Sequence, residues 1–188
     1  MGAGKSEALA ALARLGAATL STDAVVHELY ADPKVRAAVV ARWGPDVAPG
    51  GTIDRAAVAR HAFAAPAERA WLEGLLWPLV GARVAAWRAV EAARTPPPPA
   101  LVVETPLLFE AGLANLYDAT LVVIADERIR AQRAAARGHA VIAERTARQL
   151  TQEEKAARAD HVVRNDRDLA ALEQELAHVL EKLSATTR

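Results

Sequence analysis

Cysteine is absent from the 188 residues, which excludes disulfides, thiolate catalysis and cysteine-based zinc sites. Aromatic residues are scarce at 4%, whereas apolar residues reach 52% because alanine and leucine are abundant. Such a composition favours helices, where these side chains lose little rotamer freedom. Neither sign of charge is in excess, with 23 Lys and Arg against 23 Asp and Glu. That balance argues against a broad basic surface for nucleic acid and against a polyanionic tail, while leaving room for a local arginine cluster. No apolar run reaches the roughly 18 residues that a membrane span needs. The first residues lack the basic-then-apolar pattern of a secretory leader. The expectation is a soluble, cytoplasmic protein with neither nucleic acid nor membrane as partner. No feature of the sequence sets its oligomeric state.

What is present reads as alternating helices and strands. Leu9, Leu12 and Leu15 share one helical face, and Gly16 ends that helix. A short apolar strand, 17–20, then runs into Ser21-Thr22-Asp23. From 24 to 94 the pattern is helical with punctuation. Asp32-Pro33 opens one helix and Trp43-Gly44-Pro45 closes it. Thr52 or Asp54 caps the next, through Phe63, and Pro66 opens a long one in which Trp77-Pro78 predicts a kink. Helices without intervening strands suggest an inserted helical subdomain.

After the four prolines 96–99, the unalternated runs 100–104 and 121–125 suit strands buried on both faces of a parallel sheet. Asp126 begins a helix through about Arg137, 144–159 reads as helical, His161-Val162-Val163 as a last strand, and 169–183 as a surface helix with one apolar stripe. The pattern predicts an α/β fold with a mostly parallel sheet. Ligands in such folds sit at the carboxyl ends of strands, which directs attention to Asp23, to 104–110 and to Asp126.

Two readings compete at the start of the chain. Gly4-Lys5-Ser6 matches the second half of a G-x-x-x-x-G-K-[ST] phosphate loop. In that reading the amides of residues 2–7 and the helix dipole face phosphate oxygens. Gly2 and Gly4 supply positive φ, Lys5 neutralises the outer phosphates and Ser6 ligates magnesium. The other reading is a flexible terminus followed by an ordinary helix cap. The order loop, helix, glycine, apolar strand and acid favours the first. Asp23 likewise reads either as the N-cap of a helix over 24–30 or as a general base.

The chain resembles the dephospho-CoA kinase family through four stretches in one order. They are GAGKS with the Asp23 turn; Trp43-Gly44-Pro45-Asp46 followed by Ile53-Asp54-Arg55; Pro106-Leu107-Leu108-Phe109-Glu110; and Arg145 with Gln149, followed by Glu154-Lys155, Ala159-Asp160 and Asn165. The resemblance implies a three-layer P-loop kinase fold over 1–188, with a helical substrate-binding insertion at about 24–94 and a lid at about 137–158. It implies ATP and dephospho-CoA as substrates, with Mg2+, and phosphorylation of the ribose 3′-hydroxyl to give coenzyme A. Gly2, Ala3, Gly4, Lys5, Ser6, Glu7, Arg137 and Arg145 would then bind ATP, Ser6 the metal, and Asp23 with Lys5 would be catalytic. Asp23 and Leu107, Leu108, Phe109 and Glu110 would face the acceptor. The bare alternative for 107–109 is core. For the helical pair Arg133 and Arg137 it is a solvated face. Gly138 would be a lid hinge.

Four features depart from the family pattern. Ser21 stands for the first acid of its Asp-Ala-Asp turn. Trp77 stands for histidine and Glu104 for aspartate. The strand ahead of the loop is missing, which leads to the expectation of an upstream translation start, with Met1 internal to the loop. Without that strand, both neighbours would face a slot with orphaned backbone groups, each costing roughly 1–3 kcal/mol. The alternatives to the kinase reading are a degenerate P-loop protein that binds a CoA-like ligand or a partner without catalysis, and a kinase for another small alcohol or nucleotide.

Overall fold

A computed structural model describes residues 2–136 and 150–186. Its first half contains α1 (Lys5–Arg14), β1 (Ala18–Ser21), α2 (Thr22–Leu29), α3 (Pro33–Trp43), α4 (Arg55–Ala64) and α5 (Pro66–Ala92). Then come β2 (Leu101–Glu104), β3 (Leu121–Ile124), α6 (Glu127–Ala136), α7 (Gln152–Ala156), β4 (His161–Arg164) and α8 (Leu169–Thr186). The chain divides into two units, one formed by 1–19 with 94–188 and the other by 20–93.

In the first unit the apolar runs form short strands. β3 and β4 run parallel, with Leu121 opposite His161 and Ile124 opposite Arg164. β1 pairs with β2, beginning where the Ala18 amide donates to the Ala100 carbonyl at 3.0 Å. Among the described residues β2 and β3 are not joined by hydrogen bonds. A cleft of about 180 Å³ separates them, lined by Leu101, Val103, Leu121 and Val123 and floored by Leu9 and Leu12 of α1.

The core of this unit lies where α1 meets α8. Ala8, Ala11 and Leu12 are buried together with Leu172, Leu176 and Val179. Alanine on the α1 side lets the helices approach closely, and the apolar stripe of α8 supplies the volume. Gly16, at φ 92°, turns the chain out of α1 into β1.

The second unit is helical. Asp32 caps α3 by accepting from the Lys34 amide at 2.7 Å, and Asp54 caps α4 by accepting from the Ala56 amide at 2.8 Å. Pro33 and Pro66 occupy first-turn positions, where a missing amide costs nothing. α5 runs as one assigned helix from Pro66 to Ala92 with Pro78 inside it. Val39 and Val47 are wholly buried at the centre of this unit, with Leu29, Val35 and Val58 around them. At its edge Trp43 stacks on His61 at 5.5 Å and meets Trp71 edge-on at 5.1 Å. Glu68 ties this cluster together, accepting from Arg42 at 2.7 and 3.0 Å and from Trp43 Nε1 at 2.7 Å.

The Arg42 hydrogen bonds, then that of Trp43, lower the Glu68 pKa from 4.5 to about 2. A carboxylate depressed in the folded state contributes stability above its unfolded pKa, and that contribution disappears as pH falls through the folded value. Glu68→Gln is therefore expected to be less stable than the wild type at pH 7. The gap should close between pH 4.5 and about 2, as read by denaturant unfolding at a series of pH values.

Candidate functional site

The site is built where the chain enters α1. Gly2 and Gly4 take φ of 84° and 91°, the left-handed region that glycine enters without a Cβ penalty. Gly4 is the N-cap of α1, and no side chain caps the first turn. A first turn without such a cap retains orphan N–H groups and the positive end of the helix dipole. The space around both glycines is also closed. A Cβ on Gly2 would lie 2.6 Å from the Arg130 carbonyl oxygen, and one on Gly4 would lie 2.0 Å from Asn165 Nδ2. The turn is thus packed against its neighbours and is not a loose terminus.

Lys5, Ser6 and Glu7 are exposed along the first turn. Lys5 Nζ lies 3.6 Å from Glu104 Oε1, at the carboxyl end of β2. Glu7 reaches back along α1 to Arg14 at 3.4 Å. Lys5, Glu104, Thr105, Leu108, Phe109 and Lys155 line one end of the β2–β3 cleft.

Residues 107–113 fold as successive turns, with Ala111 N donating to Leu107 O at 2.9 Å and Leu113 N to Leu108 O at 2.9 Å. Leu107 is exposed, whereas Leu108 and Phe109 are half-buried. Glu110 turns inward. Its Oε1 accepts from Lys155 Nζ at 2.8 Å and from the Leu150 amide at 3.0 Å, and Lys155 also reaches the Pro106 carbonyl at 3.4 Å. Burial alone would raise the Glu110 pKa, but Lys155 and the backbone amides outweigh it and the net direction is down. Two buried side-chain oxygens of this segment, Thr105 Oγ1 and Glu110 Oε2, have no hydrogen-bond partner among the described residues.

Asp23 sits in the first turn of α2, exposed to solvent, in the helical unit. The N-cap of α2 is Ser21, so the cap reading of Asp23 is set aside. Asp126 is a cap, its Oδ1 accepting from the Arg128 amide at 2.9 Å. Arg133 is not merely a solvated residue: its Nη1 donates to the Asn165 carbonyl at 2.9 Å. Met1, Arg137, Gly138, Arg145 and Gln149 lie outside the described residues, as does most of the lid segment. Over 144–159 the described helix is confined to 152–156. Thr151 accepts from the Glu154 amide while Glu154 accepts from the Thr151 amide, a capping box that starts the helix there.

Sequence reasoning gave no role to Lys155, Thr105 or Asn165. The T-x-x-E signature at 151–154 was the readable signal for the start of α7. Nothing local announces that Lys155 meets Glu110, because the partners are 45 positions apart and only the tertiary fold joins them.

Glu110→Gln keeps the shape and removes the charge opposite Lys155. It is expected to cost about 1–3 kcal/mol at neutral pH, the usual penalty for unpairing a largely buried polar group. Because the Glu110 pKa is depressed, the wild-type advantage is full above pH 4.5 and shrinks as pH falls below it, which urea unfolding of both proteins will show.

Comparison with known proteins places this geometry in a family. The model of the dephospho-CoA kinase family matches residues 1–171. A dephospho-CoA kinase from Deinococcus radiodurans is 40% identical over 189 aligned residues, covering 99% of this chain and 90% of that protein. The crystal structure of TT1252 from Thermus thermophilus superposes with a TM-score of 0.79 at 33% identity, covering 97% of this chain and 93% of that one. A dephospho-CoA kinase from Campylobacter jejuni, at 20% identity and a TM-score of 0.69, covers all of this chain and 95% of its own and shares the fold.

Proposed function

The chain belongs to the dephospho-CoA kinase family, and on that premise we propose that it transfers the γ-phosphoryl group of ATP to the ribose 3′-hydroxyl of dephospho-CoA, giving coenzyme A and ADP. The observation that carries this reading is the entry to α1. Two left-handed glycines deliver the chain into a helix whose first turn has no side-chain cap, leaving amides and dipole for an anion.

Gly2, Ala3 and Gly4 cradle the phosphates, and Lys5 supplies a point charge to the outer ones. Lys5 is 47% exposed and lies 3.6 Å from Glu104, loosely enough for a second anion to approach it. Ser6 presents an exposed hydroxyl on the same turn. One protein hydroxyl, with phosphate oxygens and water, is a donor set that suits Mg2+. Among the described residues no cluster of three or more His, Asp or Glu would hold an ion by itself. A metal held there would neutralise charge on the phosphates.

Asp23 accepts the proton of the 3′-hydroxyl. The hydroxyl oxygen forms the new P–O bond, and the bond from the γ-phosphorus to the β–γ bridging oxygen breaks to release ADP. Leu107, Leu108, Phe109 and Glu110 serve the acceptor side. The orphaned Thr105 Oγ1 and Glu110 Oε2 support that placement, since buried polar atoms of this kind are ordinarily satisfied by something. The helical unit 20–93 is the acceptor-binding insertion. Arg137 and Arg145, outside the described residues, would stabilise charge on the transferring group, and the reaction takes place in the cytoplasm.

A coupled ADP-release assay with dephospho-CoA, adenosine and AMP tests the proposal. Turnover with dephospho-CoA alone is expected, and turnover with adenosine or AMP instead would overturn the acceptor assignment. Asp23→Asn is expected to lower kcat by about 10²–10⁴-fold, the usual worth of a general base, with ATP binding retained. Activity near that of the wild type would remove Asp23 from the chemistry.

A further inference from the structure

Asn165 follows β4 directly and is only 6% exposed, one of few buried polar residues. Three of its polar groups have partners on three different elements. Its backbone amide donates to the Ile124 carbonyl at 2.8 Å, extending the β3–β4 register by one step. Its carbonyl accepts from Arg133 of α6 at 2.9 Å. Its side-chain amide donates to the Ala3 carbonyl at 3.0 Å. The residue therefore joins the end of the sheet, the following helix and the turn ahead of α1.

Ala3 stands between two glycines in the left-handed region. Glycine has little conformational preference, so the flanking residues do not fix the Ala3–Gly4 peptide plane. The hydrogen bond to Asn165 does. In a planar trans peptide the C=O and N–H point in opposite directions. Holding the Ala3 oxygen against Asn165 therefore aims the Gly4 N–H away from Asn165, toward the open side of the turn. Successive amides presented this way make an anion-binding concavity. The fit is also steric, because the turn is pressed onto Asn165 Nδ2 and the Arg130 carbonyl with no room for a Cβ at either glycine. An amide suits the task better than a carboxylate: it donates to a carbonyl and brings no negative charge near a phosphate.

We propose that Asn165 is a positioning residue for the phosphate-binding turn, acting through the Ala3 carbonyl to preorganise the Gly4 amide for MgATP. The inference rests on the reading of residues 2–7 as a triphosphate site. Asn165→Ala is expected to weaken MgATP binding about tenfold, the worth of one buried hydrogen bond. The KM for dephospho-CoA should stay within about twofold of the wild type, and the Ala8 amide, which donates to the Gly4 carbonyl at 2.9 Å, should exchange with deuterium faster. The amides of Val122 and Val163 in β3 and β4 should keep their protection. Asn165→Ser, whose hydroxyl is too short to reach Ala3, is the second variant and is expected to give the same pattern.

Wild-type MgATP affinity in either folded variant overturns the inference, as does a parallel weakening of both substrates. Loss of protection in β3 and β4 as large as in the turn also overturns it, because Asn165 would then serve only the sheet. If the wild-type protein itself fails to bind MgATP, the reading of the turn as a triphosphate site falls, an outcome distinct from the others.

Discussion

The Ala3 carbonyl and the Asn165 amide lie 3.0 Å apart, and a Cβ at Gly4 would intrude to 2.0 Å of the same nitrogen. That close approach sets the terms for the candidate site. It requires glycine at position 4, it begins α1 from an entry turn with no side-chain cap, and it links the turn to the carboxyl end of the sheet. A helix start left open in this way carries partial positive charge outward. Lys5 and Ser6 then stand on the first exposed turn because the helix begins where it does, so the geometry of the site follows from backbone packing before any side-chain chemistry enters.

Much of this was legible in the sequence because the signals are local. Gly16 ending α1, Asp32-Pro33 opening α3, Asp54 capping α4 and Pro66 opening α5 each rest on capping chemistry within a few residues, and each has its counterpart in the structure. The apolar runs became β2 and β3 with shifts of one residue at their ends. What local signals could not carry was pairing over distance. The Glu110–Lys155 contact, the Thr120 bonds to Asp160 and the Arg133 bond to Asn165 join residues 32 to 45 positions apart. Within the described part of the span 144–159, helix is confined to 152–156, where the capping box at Thr151 fixes its start; residues 144–149 lie outside the described residues.

Two departures from the family pattern find a physical setting. Glu104 is one methylene longer than the aspartate it replaces, and that reach brings its carboxylate to Lys5 from the end of β2. Trp77 is half exposed on α5, so the large ring in place of histidine belongs to the surface of the helical unit and not to its core, which Val39 and Val47 fill. The first departure touches Lys5 at the entry to α1, whereas the second belongs to the unit that carries Asp23.

The alanines of α1 narrow the sequence changes open to this protein. Ala8 is 3% exposed and Ala11 has no exposure at all against α8. A larger residue at either position would overpack the seam and push the helix outward. A smaller one can only be glycine, which costs a helix about 1 kcal/mol. The seam is therefore bounded from both sides, and drift in its volume would displace the helix that carries Lys5 and Ser6. Two of the least distinctive residues in the chain thus set how far the lineage can wander before the turn ahead of α1 loses its place.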